Sequence, residues 1–217
     1  AGNREVVLNS LPPLVNINDL PIPRFDFAKT YYLSEDKITS LAEDPEILYS
    51  SCSMGYRIFS TRGCSFSCTY CANYKLKAVY KGSGRIVRST HPDKVIEELE
   101  YAKEIIPNLH QVYFIDDDFT ARSKDEFEYL IAEYQKKINF QCAFFSTWQT
   151  LTEAKLDIIL KHKLKIDWLK LGLQSASLRL NKINYQRHFD KNIFIERCRR
   201  IISNNITLKI DMILQNP

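Results

Sequence analysis

Cys64, Cys68 and Cys71 stand in the string Arg62-Gly63-Cys64-Ser65-Phe66-Ser67-Cys68-Thr69-Tyr70-Cys71. Thiolates are soft ligands, and three of them at a C-x3-C-x2-C spacing can hold three irons of a cubic [4Fe–4S] cluster. The fourth iron then has no protein ligand and is open to a small molecule. A cluster that only carries electrons usually has four cysteines, often with a second similar run, and neither is present here. Structural zinc is the competing reading. It needs four N/S ligands, usually as two separated pairs, whereas Cys52, Cys142 and Cys198 are single and dispersed. Disulfides belong to oxidising compartments, and nothing in the chain points to one. Cys142 and Cys198 lie in apolar or helical contexts and read as structural thiols. Three aspartates, Asp116-Asp117-Asp118, follow an apolar run. Such residues can simply cap a turn, and the spaced acids of a magnesium site are missing around them. His91, His110, His162 and His188 show no ligand spacing and read as loop or surface residues.

The 217 residues, 45% hydrophobic and 26% charged, suffice for one sizeable domain or most of one. The net charge of +4 is small, and the basic residues are spread among nearly as many acids, so nucleic acid is not an expected partner. No apolar run reaches membrane-span length and no signal-peptide pattern opens the chain. The expected location is the cytoplasm, where thiols stay reduced. With Ala1 at the start and Pro217 directly after a strand-like run, the chain is expected to be a fragment of a longer protein.

Residues 1–50 are proline-rich and irregular, fitting a linker or N-terminal extension, with a short helix expected over 39–48. Residues 51–217 form the expected core. Strands are expected over 56–61, 111–115, 140–146, 166–173 and 206–214. Helices are expected over 92–106, 124–137, 152–161 and 189–203. Pro92 suits a first helical turn, and Ser123 with Glu126 makes a capping box. Strands alternating with helices give an α/β fold with a parallel sheet. Only six glycines and no glycine-rich phosphate loop argue against a doubly wound nucleotide fold. The cysteines, the aspartates and Gln174-Ser175 all fall at strand C-terminal ends, where a barrel builds its active site.

The cysteine spacing, with Tyr70 just before the last cysteine, resembles the radical S-adenosylmethionine (radical SAM) superfamily over roughly residues 56–217. Asp19-Leu20-Pro21 with Pro23, Ser60-Thr61-Arg62-Gly63-Cys64 and Phe114-Ile115-Asp116-Asp117-Asp118-Phe119 are similar to the members associated with a cobalamin-binding domain, including relatives of the anaerobic magnesium-protoporphyrin ester cyclase. The resemblance implies a partial (βα)6 TIM-type barrel, truncated here after strand five. It implies a [4Fe–4S] cluster on Cys64, Cys68 and Cys71, with S-adenosylmethionine on the open iron. Tyr70 would lie against the adenine. Asp118, or next Asp117, would accept the methionine ammonium, and Gln174 and Ser175 would approach the ribose and methionine. Ala176 and Gln215 depart from the family by standing where glycine is common. Arg187 matches a basic position of some relatives, though an exposed arginine is the commoner case. The implied chemistry is reductive cleavage to a 5′-deoxyadenosyl radical that abstracts hydrogen, with methyl transfer or cyclisation among the outcomes. The implied partners are a small-molecule or peptide substrate and an external one-electron reductant. Cobalamin would be held by a domain outside this chain, since no D-x-H-x-x-G motif occurs.

Overall fold

The computed structural model describes residues 9–214. The chain first makes a hairpin of β1 (Tyr31–Ser34) and β2 (Lys37–Ser40), paired antiparallel. Glu35 and Asp36 turn it with φ of 48° and 64°, the left-handed pair that suits the twist of a two-residue hairpin loop. The helix expected over 39–48 is therefore displaced: β2 occupies its start, and α1 (Glu46–Ser51) begins only after Pro45. Proline has no N–H and belongs at a helix start, so it sets that boundary.

Five strands form a wholly parallel sheet: β3 (Tyr56–Ile58), β6 (Gln111–Phe114), β7 (Gln141–Ser146), β8 (Ile166–Gln174) and β9 (Leu208–Met212). Their spatial order, β3-β6-β7-β8-β9, is their chain order. A doubly wound sheet would reverse direction at a switch point; an unreversed order curls one way, as in a partial TIM-type barrel. Between β3 and β6 lie a short antiparallel pair, β4 (Thr61–Arg62) and β5 (Arg88–Ser89), with α2 (Ala72–Val79) between them. Four longer helices pack outside: α3 (Pro92–Ile105), α4 (Lys124–Lys137), α5 (Glu153–Lys161) and α6 (Lys191–Ser203). Their starts follow local chemistry. Ser123, Thr152 and Asp190 each accept a backbone N–H of the first turn, satisfying donors that have no intrahelical partner.

Alternation along the strands divides the sheet. Ile58, Phe114, Phe144, Leu169 and Leu171 are buried towards the helices, against Val95, Ile96, Leu99, Phe127 and Leu130. Each such side chain contributes about 1.5–3 kcal/mol by leaving water. The intervening residues, Arg57, Tyr113, Phe145, Trp168, Lys170 and Lys209, face the concave side. The N-terminal segment lies along α3: the Lys94 ammonium donates to Asn18 O at 2.6 Å, and Phe25 N donates to the Tyr101 hydroxyl at 2.9 Å. Among the described residues no helix is long and apolar enough to cross a membrane.

Candidate active site

The cysteine loop leaves β4 at Gly63, whose φ of +83° only glycine holds without strain. A Cβ there would stand 2.4 Å from Ile86 O, so the close approach also demands glycine. The loop is tied at several points. The Lys77 ammonium on α2 donates to Ser65 O at 2.8 Å, Phe66 O at 2.7 Å and the Ser67 hydroxyl at 3.2 Å. Thr69 donates from its hydroxyl to Asn184 O and from its amide to Tyr185 O, fastening the loop to the turn after β8.

All three thiols open onto one cleft. Cys64, Cys68 and Cys71 form one side, and Tyr70, Asp117, Lys170, Gln174, Arg187 and Asp211 complete much of the rest. Burial pushes the Cys64 thiol up to about 11, the Phe66 N–H opposes this, and the Asp118 and Asp117 carboxylates add to it. Among the described residues no three His, Cys, Asp or Glu side chains converge as one metal ion requires, so the zinc reading gains no support. Three cysteines lining one side of a single cleft fit a cluster, in which each thiolate takes its own iron. All six cysteines are free.

The aspartates after β6 point in three directions. Asp116 turns back to β3 and β4: one oxygen accepts Ser60 N at 2.6 Å and Thr61 N at 2.7 Å, the other the Ser60 hydroxyl at 2.5 Å. Burial raises its carboxyl to about 6, against the pull of those donors and of Arg122. Asp118 is fully buried in a cage of hydroxyls from Thr120, Ser146, Thr147 and Thr150. Burial raises its carboxyl as well. Only Asp117 lines the cleft. Its oxygens accept Gly63 N at 3.1 Å and the Asn73 amide at 2.8 Å, the residues just outside the first and last cysteines.

Gln174 lines the cleft with φ of +66°, beside a register shift in β8. Ser175 follows it, and its hydroxyl accepts Ser177 N at 3.1 Å, spending the side chain on the local turn. Arg187 is the clearest departure from expectation. It is only 7% exposed, not a surface residue, and donates to the Tyr70 hydroxyl at 3.0 Å and to Gly172 O at 2.7 Å. Tyr70 also stands edge-on to Tyr185, ring centroids 5.0 Å apart. Burial pushes the Tyr70 phenol up to about 12 while the Arg187 charge opposes. Asn73, Lys77, Lys170 and Asp211 escaped the sequence reading. A lysine and an amide on one turn after the last cysteine were the only local trace of the first two. Gln215 lies outside the described residues.

The unreversed parallel sheet, with polar groups gathered at its strand ends, defines a barrel protein whose site sits at the barrel mouth. The profile of the radical SAM superfamily matches residues 58–216, and the chain belongs to that superfamily. Among solved structures it is similar to the radical S-adenosylmethionine methyltransferase TsrM from Kitasatospora setae, solved with tryptophan substrate and a SAM analog. That match has 12% identity and a TM-score of 0.56, covering 71% of this chain and 29% of that one. Elp3 from the archaeon Methanocaldococcus infernus, with an N-terminal deletion, matches at 12% identity and a TM-score of 0.42, covering 59% and 35%. The first likeness is one of fold, and this chain spans well under half the length of either protein. No curated protein matches it by sequence.

Proposed function

We propose that the cleft holds a [4Fe–4S] cluster on Cys64, Cys68 and Cys71, with S-adenosylmethionine bound beside it for reductive cleavage. The observation that carries this is the gathering of three thiols on one cleft whose other walls offer a carboxylate, an amide and an aromatic face. Bound there, cluster and S-adenosylmethionine together supply a 5′-deoxyadenosyl radical able to abstract hydrogen from a substrate. The chain's own residues bind and orient. Asp117, not Asp118, accepts the methionine ammonium, because it alone of the triad faces the cleft; such a charge-assisted bond is stronger than a neutral one. Gln174 meets the ribose hydroxyls. Tyr70 lies against the adenine, its hydroxyl fixed by Arg187. Ser175 shapes the turn that presents Gln174.

Within the superfamily we place the chain with the cobalamin-associated branch, supported by Asp19-Leu20-Pro21 and the aspartate triad, so that methyl transfer or cyclisation on a small molecule or peptide is its outcome. A one-electron reductant completes the partners, and the cytoplasm is the place we assign. Anaerobic reconstitution with iron and sulfide is expected to give about four irons per chain. Added S-adenosylmethionine then changes the electron-paramagnetic spectrum of the reduced cluster and yields 5′-deoxyadenosine. Stoichiometric zinc without iron uptake, or a spectrum indifferent to S-adenosylmethionine, overturns the reading.

A further inference from the structure

The concave face of the sheet is unusually furnished below the cysteine cleft. Trp168 on β8 lies between Tyr113 and Phe145, at centroid distances of 5.9 Å and 5.4 Å. Two ammonium groups stand over these rings. Lys209 Nζ is 4.4 Å from the Trp168 centroid, and Lys170 Nζ is 5.1 Å from that of Phe145. A helix-facing position with this alternation would be apolar; here the same strands point lysines inward. Lys170 is paired with Asp211 at 3.4 Å, and its side chain is only 25% exposed. Lys209 has no ion pair among the described residues and stands over the Trp168 ring.

Ring faces attract cations, but a ring does not neutralise one. The face therefore keeps an excess of positive charge next to flat apolar surface. That combination is complementary to a molecule with the opposite arrangement, a planar ring bearing an oxyanion. Phe145, Lys170 and Asp211 also line the cysteine cleft, whereas Trp168 lies about 7 Å further down β8, two residues away. A ligand seated on Trp168 with its anion at the lysines would thus share the Phe145 and Lys170 wall of the cleft and extend below it.

We propose that this face is the substrate seat, and that the substrate is a small molecule with an aromatic or comparably flat ring carrying a carboxylate or phosphate. Lys170 and Lys209 hold the oxyanion, and Trp168 with Phe145 and Tyr113 holds the ring. Asp211 tempers Lys170 and sets how strongly the anion is held. This rests on reading the adjoining cleft as the cofactor's.

Its test does not depend on turnover. The chain has two tryptophans, and Trp148 is buried near α6, edge-on to Phe189. The indole N–H signals of Trp168 and Trp148 in the cluster-loaded protein serve as reporter and control. Benzoate and phenyl phosphate are expected to shift Trp168 and leave Trp148 unmoved. They should bind roughly tenfold or more tighter than benzyl alcohol, the margin of a charge-assisted hydrogen bond. Phenyl phosphate should also outdo inorganic phosphate, and whichever of the two anions binds tighter names the oxyanion. Lys209→Met, at an exposed position, and Lys170→Met should each reduce the preference for the anion, and Asp211→Asn should raise it. Equal binding of benzyl alcohol, indifference to Lys209→Met, or displacement of benzoate by S-adenosylmethionine overturns the proposal. A protein that binds benzoate this way yet cleaves no S-adenosylmethionine would sink the cofactor reading instead.

Discussion

Asp116 shows how one carboxylate can hold a site without touching it. Its two oxygens gather two amides and a hydroxyl at the junction of β3 and β4, just before the cysteine loop. Burial raises its carboxyl from 3.8 to about 6. The folded protein then binds the proton more tightly than the unfolded chain, so this group's stabilisation is full below the unfolded value. It is lost as pH rises through about 6, by about 3 kcal/mol across the window at 1.36 kcal/mol per pKa unit. Asn at this position keeps a carbonyl for both amides, and its NH2 can donate to the Ser60 hydroxyl. Urea titrations should therefore show the wild type losing ground to Asp116→Asn between pH 4 and 6.5; parallel profiles would refute the assignment. Arg187 acts on the cleft more directly. Arg187→Met removes the donors to Tyr70 and Gly172, with hydrogen bonds to charged groups contributing about 1.5–3 kcal/mol. The KM for S-adenosylmethionine should rise tenfold or more while iron content holds, and Arg187→Lys should recover part of it.

The elements that position the site differ in how much of their cause is local. Helix starts at Ser123 and Thr152 were readable because a cap is satisfied within three residues. The parallel strands were readable from their apolar runs, and the cysteine spacing from its own ten residues. The hairpin of β1 and β2 was not: Tyr31, Leu33 and Ile38 are exposed, so no alternation of buried and polar residues marks it. Nor was α2, a helix of only eight residues that buries none of them. Arg187 was misread because its partner Tyr70 lies 117 residues away, beyond any local pattern. The Gly63 turn makes the strictest local demand. Gly63→Ala would meet both a positive φ and Ile86 O, at about 1–3 kcal/mol for the backbone alone. Cluster content after reconstitution should fall while far-ultraviolet circular dichroism stays near that of the wild type. Full iron loading would show that the loop tolerates the shift.

At the scale of the whole molecule, the helix-facing side of the sheet carries the stability and the concave side carries the polar groups. Phe119 is fully buried and meets Phe114, Phe127 and Phe144 at centroid distances of 4.3, 5.7 and 4.7 Å. Phe119→Ala is expected to cost about 3–5 kcal/mol in a denaturant titration, a large part of a domain's usual 5–15 kcal/mol. A loss under about 1 kcal/mol would mean that the surroundings collapse into the gap. The aspartate triad joins the two sides. With one neighbour tied to the β3–β4 junction and the other to β7, Asp117 is held between two anchored residues. The mouth of the barrel is thus a rigid jaw along this edge. The turn that carries Arg187 is tied to the cysteine loop through Thr69 and Tyr70, so the two lips of the mouth keep their spacing together.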